Sequence, residues 1–168
     1  TPSISFATSC GIVTTFPWSE GFENAWVAAV APGNAAAPMC WTNINLGAGT
    51  SNYWQRNTSY PHSGNADAAI YTDNTNHNND WLITPQIALT GNEKLTFYVM
   101  NYSPTTSELD EISVWISDED SSITVPTGVN DSLAHFTRLM QMTIPTGNWT
   151  KHEINLSQYS GNRYIAFV

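Results

Sequence analysis

The segment Asn79-Asp80-Trp81-Leu82-Ile83-Thr84-Pro85-Gln86-Ile87-Ala88-Leu89 narrows the choice of fold more than any other part of the chain. Its apolar and β-branched residues suit a pleated, half-buried surface. A proline has no N–H to give to a ladder, so pairing is expected to stop or bulge at Pro85. The strand opens on an acid and contains no catalytic motif, so it speaks for architecture before chemistry.

Similar runs recur along the chain between clusters of turn formers. Strands are expected near Ser19 to Asn24, Trp41 to Leu46, Trp54 to Asn57, Ala68 to Thr72, Asp80 to Pro85, Lys94 to Asn101, Glu111 to Ser117, Thr137 to Thr143, Thr150 to Asn155 and Arg163 to Val168. The period-two runs from Leu95 to Met100 and from Ile112 to Ser117 are read as central strands. Between them lie Gly47 to Asn52, Asp73 to Asn79, Ser117 to Asp131 and Pro145 to Asn148, all rich in Gly, Asn, Asp, Ser, Thr and Pro. Helical periodicity is nearly absent. The run Ala25 to Ala31 is short, is followed by Pro32 and Gly33, and reads as a loop or a single turn. Many short strands at about ten-residue spacing predict an all-β fold, a two-sheet antiparallel sandwich, and leave open whether it is immunoglobulin-like or a jelly roll. At 168 residues the chain is expected to form one domain over 1–168, with enough length to bury its own core.

Charge excludes some functions. The formal net charge is −9, and the fixed cations are Arg56, Lys94, Arg138, Lys151 and Arg163. Phosphate-backbone binding needs clustered Lys and Arg, so nucleic acid and anionic membrane surfaces are poor partners for this chain. Hydrophobic residues make up 41% and DEKR residues only 11%, which describes a folded protein whose surface is polar but largely uncharged. That surface chemistry favours a secreted or cell-surface β protein. No run of about 18 apolar residues occurs, so membrane insertion is not expected, and any export signal is expected to have been removed already.

Cys10 and Cys40 allow one pairing, and closing the loop between them would stabilise the fold by roughly 3 kcal/mol in the chain-entropy model. The alternative is two buried free thiols. Neither cysteine sits in a CxxC or Cys/His cluster, and His62, His77, His135 and His152 lack zinc-ligand spacing.

Several segments, in order, resemble the cleaved-adhesin family of Bacteroidetes, also described as choice-of-anchor J domains and related to the MAM domains of eukaryotes. They are Phe16 to Glu23, Pro38 to Thr42, His62 to Ala66, Asn79 to Leu89, Lys94 to Val99, Asp110 to Ser117, and Trp149 to Phe167. The resemblance covers nearly the whole chain. It implies a MAM-like jelly-roll sandwich and a non-catalytic extracellular module for adhesion or carbohydrate binding, stabilised by calcium and carried by a larger multi-modular protein. The implied partners are a polysaccharide or a host glycoprotein. Two departures stand out. Family members continue past the Tyr-Ile-Ala-Phe strand into a further strand, so an open groove that accepts a strand from a partner chain is an alternative reading. Relatives also carry an Asp-rich run after the tryptophan matched by Trp41, where this chain has Asn43, Asn45 and Asn52.

Calcium takes six to eight oxygens, commonly with two or three carboxylates among them. The acids best placed at predicted strand ends are Glu20, Glu23, Asp73, Asp80 and Asp110, with Glu111 beside the last. The blander reading makes them solvated loop acids or turn caps. Aromatic rings can stack on sugars, and a tryptophan or tyrosine adds a polar handle. Trp41, Trp81 and Trp115 fall inside strand-like runs and are expected in the core, whereas Trp54, Tyr53 and Trp26 are expected to be exposed and, with Arg56, to form a ligand platform. No nucleophile motif, Walker loop or GxGxxG is present, and the chain is not expected to be an enzyme. A hydrolase with two convergent carboxylates is the remaining catalytic reading.

Overall fold

The computed structural model describes residues 10–47, 52–72, 78–102, 110–123, 133–144 and 147–168. Eleven strands lie among them: β1 (Thr42–Asn45), β2 (Gln55–Asn57), β3 (Asp67–Ala69), β4 (Asp80–Ile83), β5 (Ile87–Thr90), β6 (Lys94–Val99), β7 (Glu111–Ser117), β8 (Phe136–Thr143), β9 (Thr150–Asn155), β10 (Ser160–Arg163) and β11 (Ile165–Phe167). No helix occurs among the described residues. All the ladders between these strands are antiparallel.

One sheet has five strands in the order β1-β4-β11-β7-β8, and the pairs β5–β10, β6–β9 and β2–β3 form separate ladders. The chain passes from β4 in the large sheet to β5 and β6, back to β7 and β8, out again to β9 and β10, and home to β11. Burial explains the layering. Leu82, Ile112, Val114, Ile116 and Ile165 leave one face of the large sheet and pack with Ile87 and Leu89 of β5 and Phe97 and Val99 of β6. Residues of the opposite parity, Ile44, Trp81, Ile83 and Ala166, gather on the other face with Leu133 and Phe136. There Trp81 meets Trp115 at 5.3 Å and Phe136 at 5.5 Å between ring centroids. Strand β4 is therefore buried on both faces, which is why its sequence shows a continuous apolar run and no alternation.

Pro85 acts as its chemistry predicts. Thr84 still exchanges hydrogen bonds with Ile165, its N–H reaching the carbonyl at 2.9 Å and its Oγ1 accepting from the Ile165 N–H at 3.0 Å. After the proline the chain changes layer, so Ile87 to Thr90 is a strand of its own that pairs with β10. Splitting also occurs at Tyr164: the single strand expected from Arg163 to Val168 is divided between β10 in one layer and β11 in the other.

Strand β7 is central, as the pattern predicts, flanked by β11 and β8. Strand β6 differs: its ladder is with β9, Phe97 and Val99 point to the core, and Thr96 and Tyr98 face water. No strand forms over Ser19 to Asn24. Glu20 Oε1 accepts the Phe22 N–H at 2.6 Å and Phe22 takes a positive φ of 60°, a local side-chain bond that competes with a ladder. Strand β11 is paired on both sides, and among the described strands the outer positions of the large sheet belong to β1 and β8. Cys10 and Cys40 are joined, with Cα atoms 5.3 Å apart, and the free-thiol alternative falls.

Candidate functional site

The ligand platform expected around Trp54 does not form. Trp54, just before β2, is 8% exposed, because it packs in the core and its Nε1–H donates to the carbonyl of Asp80 at 3.0 Å. Its own carbonyl accepts from Asn43 Nδ2 at 2.7 Å. Arg56 is likewise engaged: Nε and Nη2 donate to the carbonyls of Phe22 and Glu23 at 2.9 and 2.8 Å, pinning the N-terminal segment to β2. Trp26 is half-buried and packs on Phe22, so it is not an exposed platform ring either. Tyr53 alone of the four presents its ring to solvent. The asparagines after Trp41 are structural pins. Asn43 is fully buried and also donates to the Ala36 carbonyl at 2.7 Å, and the Asn45 amide donates to the Asn52 carbonyl.

The expected acids lie at separate places. Glu20 turns back onto its own segment. Glu23 accepts from the Asn65 N–H at 2.9 Å and from the Asn65 amide at 3.3 Å, and the backbone N–H of Asn65 leads the interactions that hold its carboxyl below the usual range. Asp110 precedes β7, where its carbonyl accepts from Ile144. Asp73 lies outside the described residues. Asp80 is 3% exposed, and desolvation pushes its carboxyl up to about 6 against the opposing hydrogen bond from Asn78. Asn78 Nδ2 reaches Asp80 Oδ2 at 3.0 Å, and Oδ1 has no hydrogen-bond partner among the described residues. A cleft of about 230 Å³ opens there, lined by Trp54, Asp80, Glu111, Arg138, Gln141 and Val168.

Among the described residues no three His, Cys, Asp or Glu side chains assemble as a metal-ligating group. Glu23 accepts from the N–H donors of Asn65, and Asp80 shares its cleft with Glu111, Arg138 and the Trp54 indole. A calcium sphere takes six to eight oxygens, and none of the described acids is gathered with two others.

A different group of side chains comes together in solvent. Tyr98 is exposed on the outer face of β6, and the His62 ring stacks on it with centroids 3.8 Å apart and planes 23° apart. Trp149, just before β9, meets His62 edge-on at 5.5 Å. Tyr60, two residues before His62, stacks on Tyr102 at 3.7 Å, and their hydroxyls are hydrogen-bonded. Tyr60, Tyr98 and Tyr102 are 44%, 41% and 58% exposed, so these rings are not core residues seen from outside. The Gly147 N–H to Asn101 carbonyl bond, 3.0 Å, holds the end of β6 against the approach to β9 and so brings Tyr102 and Trp149 to the same end of the ladder.

Sequence reading missed this strip because its members come from three separated segments. A signal existed for Tyr98: in Leu95-Thr96-Phe97-Tyr98-Val99 the strand period sends Phe97 and Val99 one way and Tyr98 the other.

No protein-family model matches the sequence, and no curated protein matches it. Among solved structures, the chain is similar to the K1 cleaved adhesin domain of Lys-gingipain from Porphyromonas gingivalis W83. The identity is 24% and the TM-score 0.46, over 88% of this chain and 84% of that one.

Below the strip, β6 and β9 continue their outer face with Lys94, Thr96, Lys151 and Glu153. Glu153 takes Lys151 Nζ at 2.7 Å and Lys94 Nζ at 3.0 Å. The Lys151 ammonium, then that of Lys94, pulls its carboxyl down to about 2. The outer face of this ladder thus carries aromatic rings together with paired charges, and Lys151 stands directly opposite Tyr98.

Proposed function

We propose that this chain is a non-catalytic carbohydrate-binding module for extracellular adhesion, carried by a larger secreted protein, and that it holds its glycan on the strip Tyr98, His62, Trp149, Tyr60 and Tyr102. The observation that carries this reading is the stacking of His62 on a solvent-facing Tyr98 beside a second exposed ring pair. Sugars present apolar C–H faces edged by hydroxyls, and tyrosine, tryptophan and histidine offer a flat apolar body with a polar tip. The platform is supported from beneath by a paired strand whose other face is core, so little ordering is required on binding. An intramolecular disulfide supports the oxidising, extracellular setting.

Affinity electrophoresis against a panel of neutral and acidic polysaccharides tests the proposal. Tyr98→Ala is expected to weaken retention about tenfold, the scale of one lost aromatic contact. Tyr53→Ala, an exposed tyrosine outside the strip, is expected to behave as the wild type. Absence of retention on every polysaccharide would sink the reading. Calcium, implied by the family resemblance, is a separate proposal, and the described acids give it no assembled site. Melting in EDTA decides it: a fall that excess calcium reverses supports the ion, and an unchanged curve removes it.

A further inference from the structure

The five fixed cations are not equivalent in space. Arg56 is spent on two backbone carbonyls. Arg163 is 15% exposed at its side chain and donates to the carbonyls of Ser160 and Ser117. Arg138 lies over the Trp115 ring at 5.7 Å. Arg138 is exposed but stands on β8 of the large sheet, whereas Lys94 and Lys151, with side chains 55% and 52% exposed, both stand on the outer face of β6–β9. In the ladder Tyr98 sits directly opposite Lys151, and Lys94 lies four residues along β6 from Tyr98. At about 3.4 Å per residue, roughly 14 Å of sheet carries a stacking ring and two ammonium groups.

We infer that this face binds an anionic polysaccharide, one bearing carboxylate or sulfate groups, with Tyr98 stacking on a sugar ring and Lys94 and Lys151 holding the charge of the chain. The inference rests on the carbohydrate reading above and narrows its ligand. A net charge of −9 does not oppose it, because charges act over a Debye length of about 8 Å at physiological salt. Within this patch two lysines outnumber one glutamate. Glu153 is an internal competitor: it occupies both ammonium groups in the free protein and must share them with the ligand's anion. Removing its charge therefore strengthens binding of anionic chains and leaves neutral ones untouched, an effect that a purely structural ion pair would not produce.

The test uses isothermal titration with polygalacturonate, with the same polymer after reduction of its carboxyl groups, and with a sulfated galactan. Expected are tighter binding of a charged polymer than of the reduced one, and a fall in that advantage as salt rises from about 50 to 500 mM. Which of the two charged polymers leads distinguishes carboxylate from sulfate. Lys94→Gln with Lys151→Gln should weaken the charged polymers about tenfold, two exposed ion pairs' worth, and leave the reduced polymer unchanged. Glu153→Gln should strengthen the charged polymers about two- to threefold. Equal binding of reduced and charged polymers, or a double lysine variant that binds as the wild type, overturns the inference. In that case a loss of binding in Tyr98→Ala keeps the carbohydrate reading standing, whereas no binding by any polymer removes both.

Discussion

Asp80 shows how one residue sets a pH response. Burial raises its carboxyl from the ordinary 3.8 to about 6, so the folded protein holds that proton more tightly than the unfolded chain does. Stability therefore falls as pH rises between those two values. The cost is present in full above the folded value and absent below the unfolded one, where both states are protonated. The hydrogen bond from Asn78 opposes the desolvation without cancelling it, and Glu111 and Arg138 line the same cleft with opposite charges. Asp80→Asn keeps the size and removes the charge. Its melting temperature is expected to exceed the wild type's at about pH 8, with the gap closing by about pH 4. A gap that does not change with pH would place the effect elsewhere. Gly64 makes a second residue-level case. Its φ is +67°, and a Cβ there would stand 1.9 Å from Glu23 Oε1. The flexible carboxylate can swing away, but the backbone conformation cannot relax, so Gly64→Ala is expected to cost about 1–2 kcal/mol in chemical denaturation and to release Glu23 from Asn65.

At the scale of elements, strands whose apolar residues continue or alternate were legible, and strands held only by their partners were not. β4 and β7 follow their apolar pattern. β10 has the composition of a turn, Ser-Gly-Asn-Arg, and is a strand because Leu89 and Ala88 of β5 pair with Gly161 and Asn162. Trp54 looked exposed because a Gly- and Asn-rich loop precedes it, and no local pattern announces that its indole will cap the Asp80 carbonyl from 26 residues away. The same reasoning separates two strand positions by experiment. Leu82, 1% exposed in β4 on the side facing the second layer, is expected to cost about 2–5 kcal/mol as Leu82→Ala. Tyr98→Ala, on the water side of β6, is expected to lie within about 0.5 kcal/mol of the wild type in urea denaturation while losing glycan affinity. Comparable destabilisation by both substitutions would mean that Tyr98 is a packing residue, and the strip would lose its anchor.

For the whole molecule, one segment is fixed to the layers while contributing almost no ladder. Residues 10–40 contain no named strand, and their pairing is limited to single bridges such as Val13 with Ile87 and Val27 with Ala37. They are fixed instead by rings and one covalent bond. Trp18 stacks on Trp41 at 6.1 Å, Phe22 meets Trp41 at 5.6 Å, and Cys10 is joined to Cys40 across a sequence separation of 30. A segment with few backbone hydrogen bonds gains most from a constraint on the unfolded chain, since little else opposes its entropy. Reducing the disulfide is expected to lower stability by roughly 3 kcal/mol, which for a chain of this size lowers the melting temperature by about 6–12 °C in calorimetry. Glycan retention below that transition should be unchanged, because Tyr60, His62, Tyr98, Tyr102 and Trp149 all lie outside the closed loop. A reduced protein that melts as before would show that the aromatic contacts alone hold the segment. A reduced, folded protein that no longer retains glycan would show that the strip depends on the N-terminal segment, through Arg56 and the Glu23 clamp on Asn65, more than on the ladder beneath it.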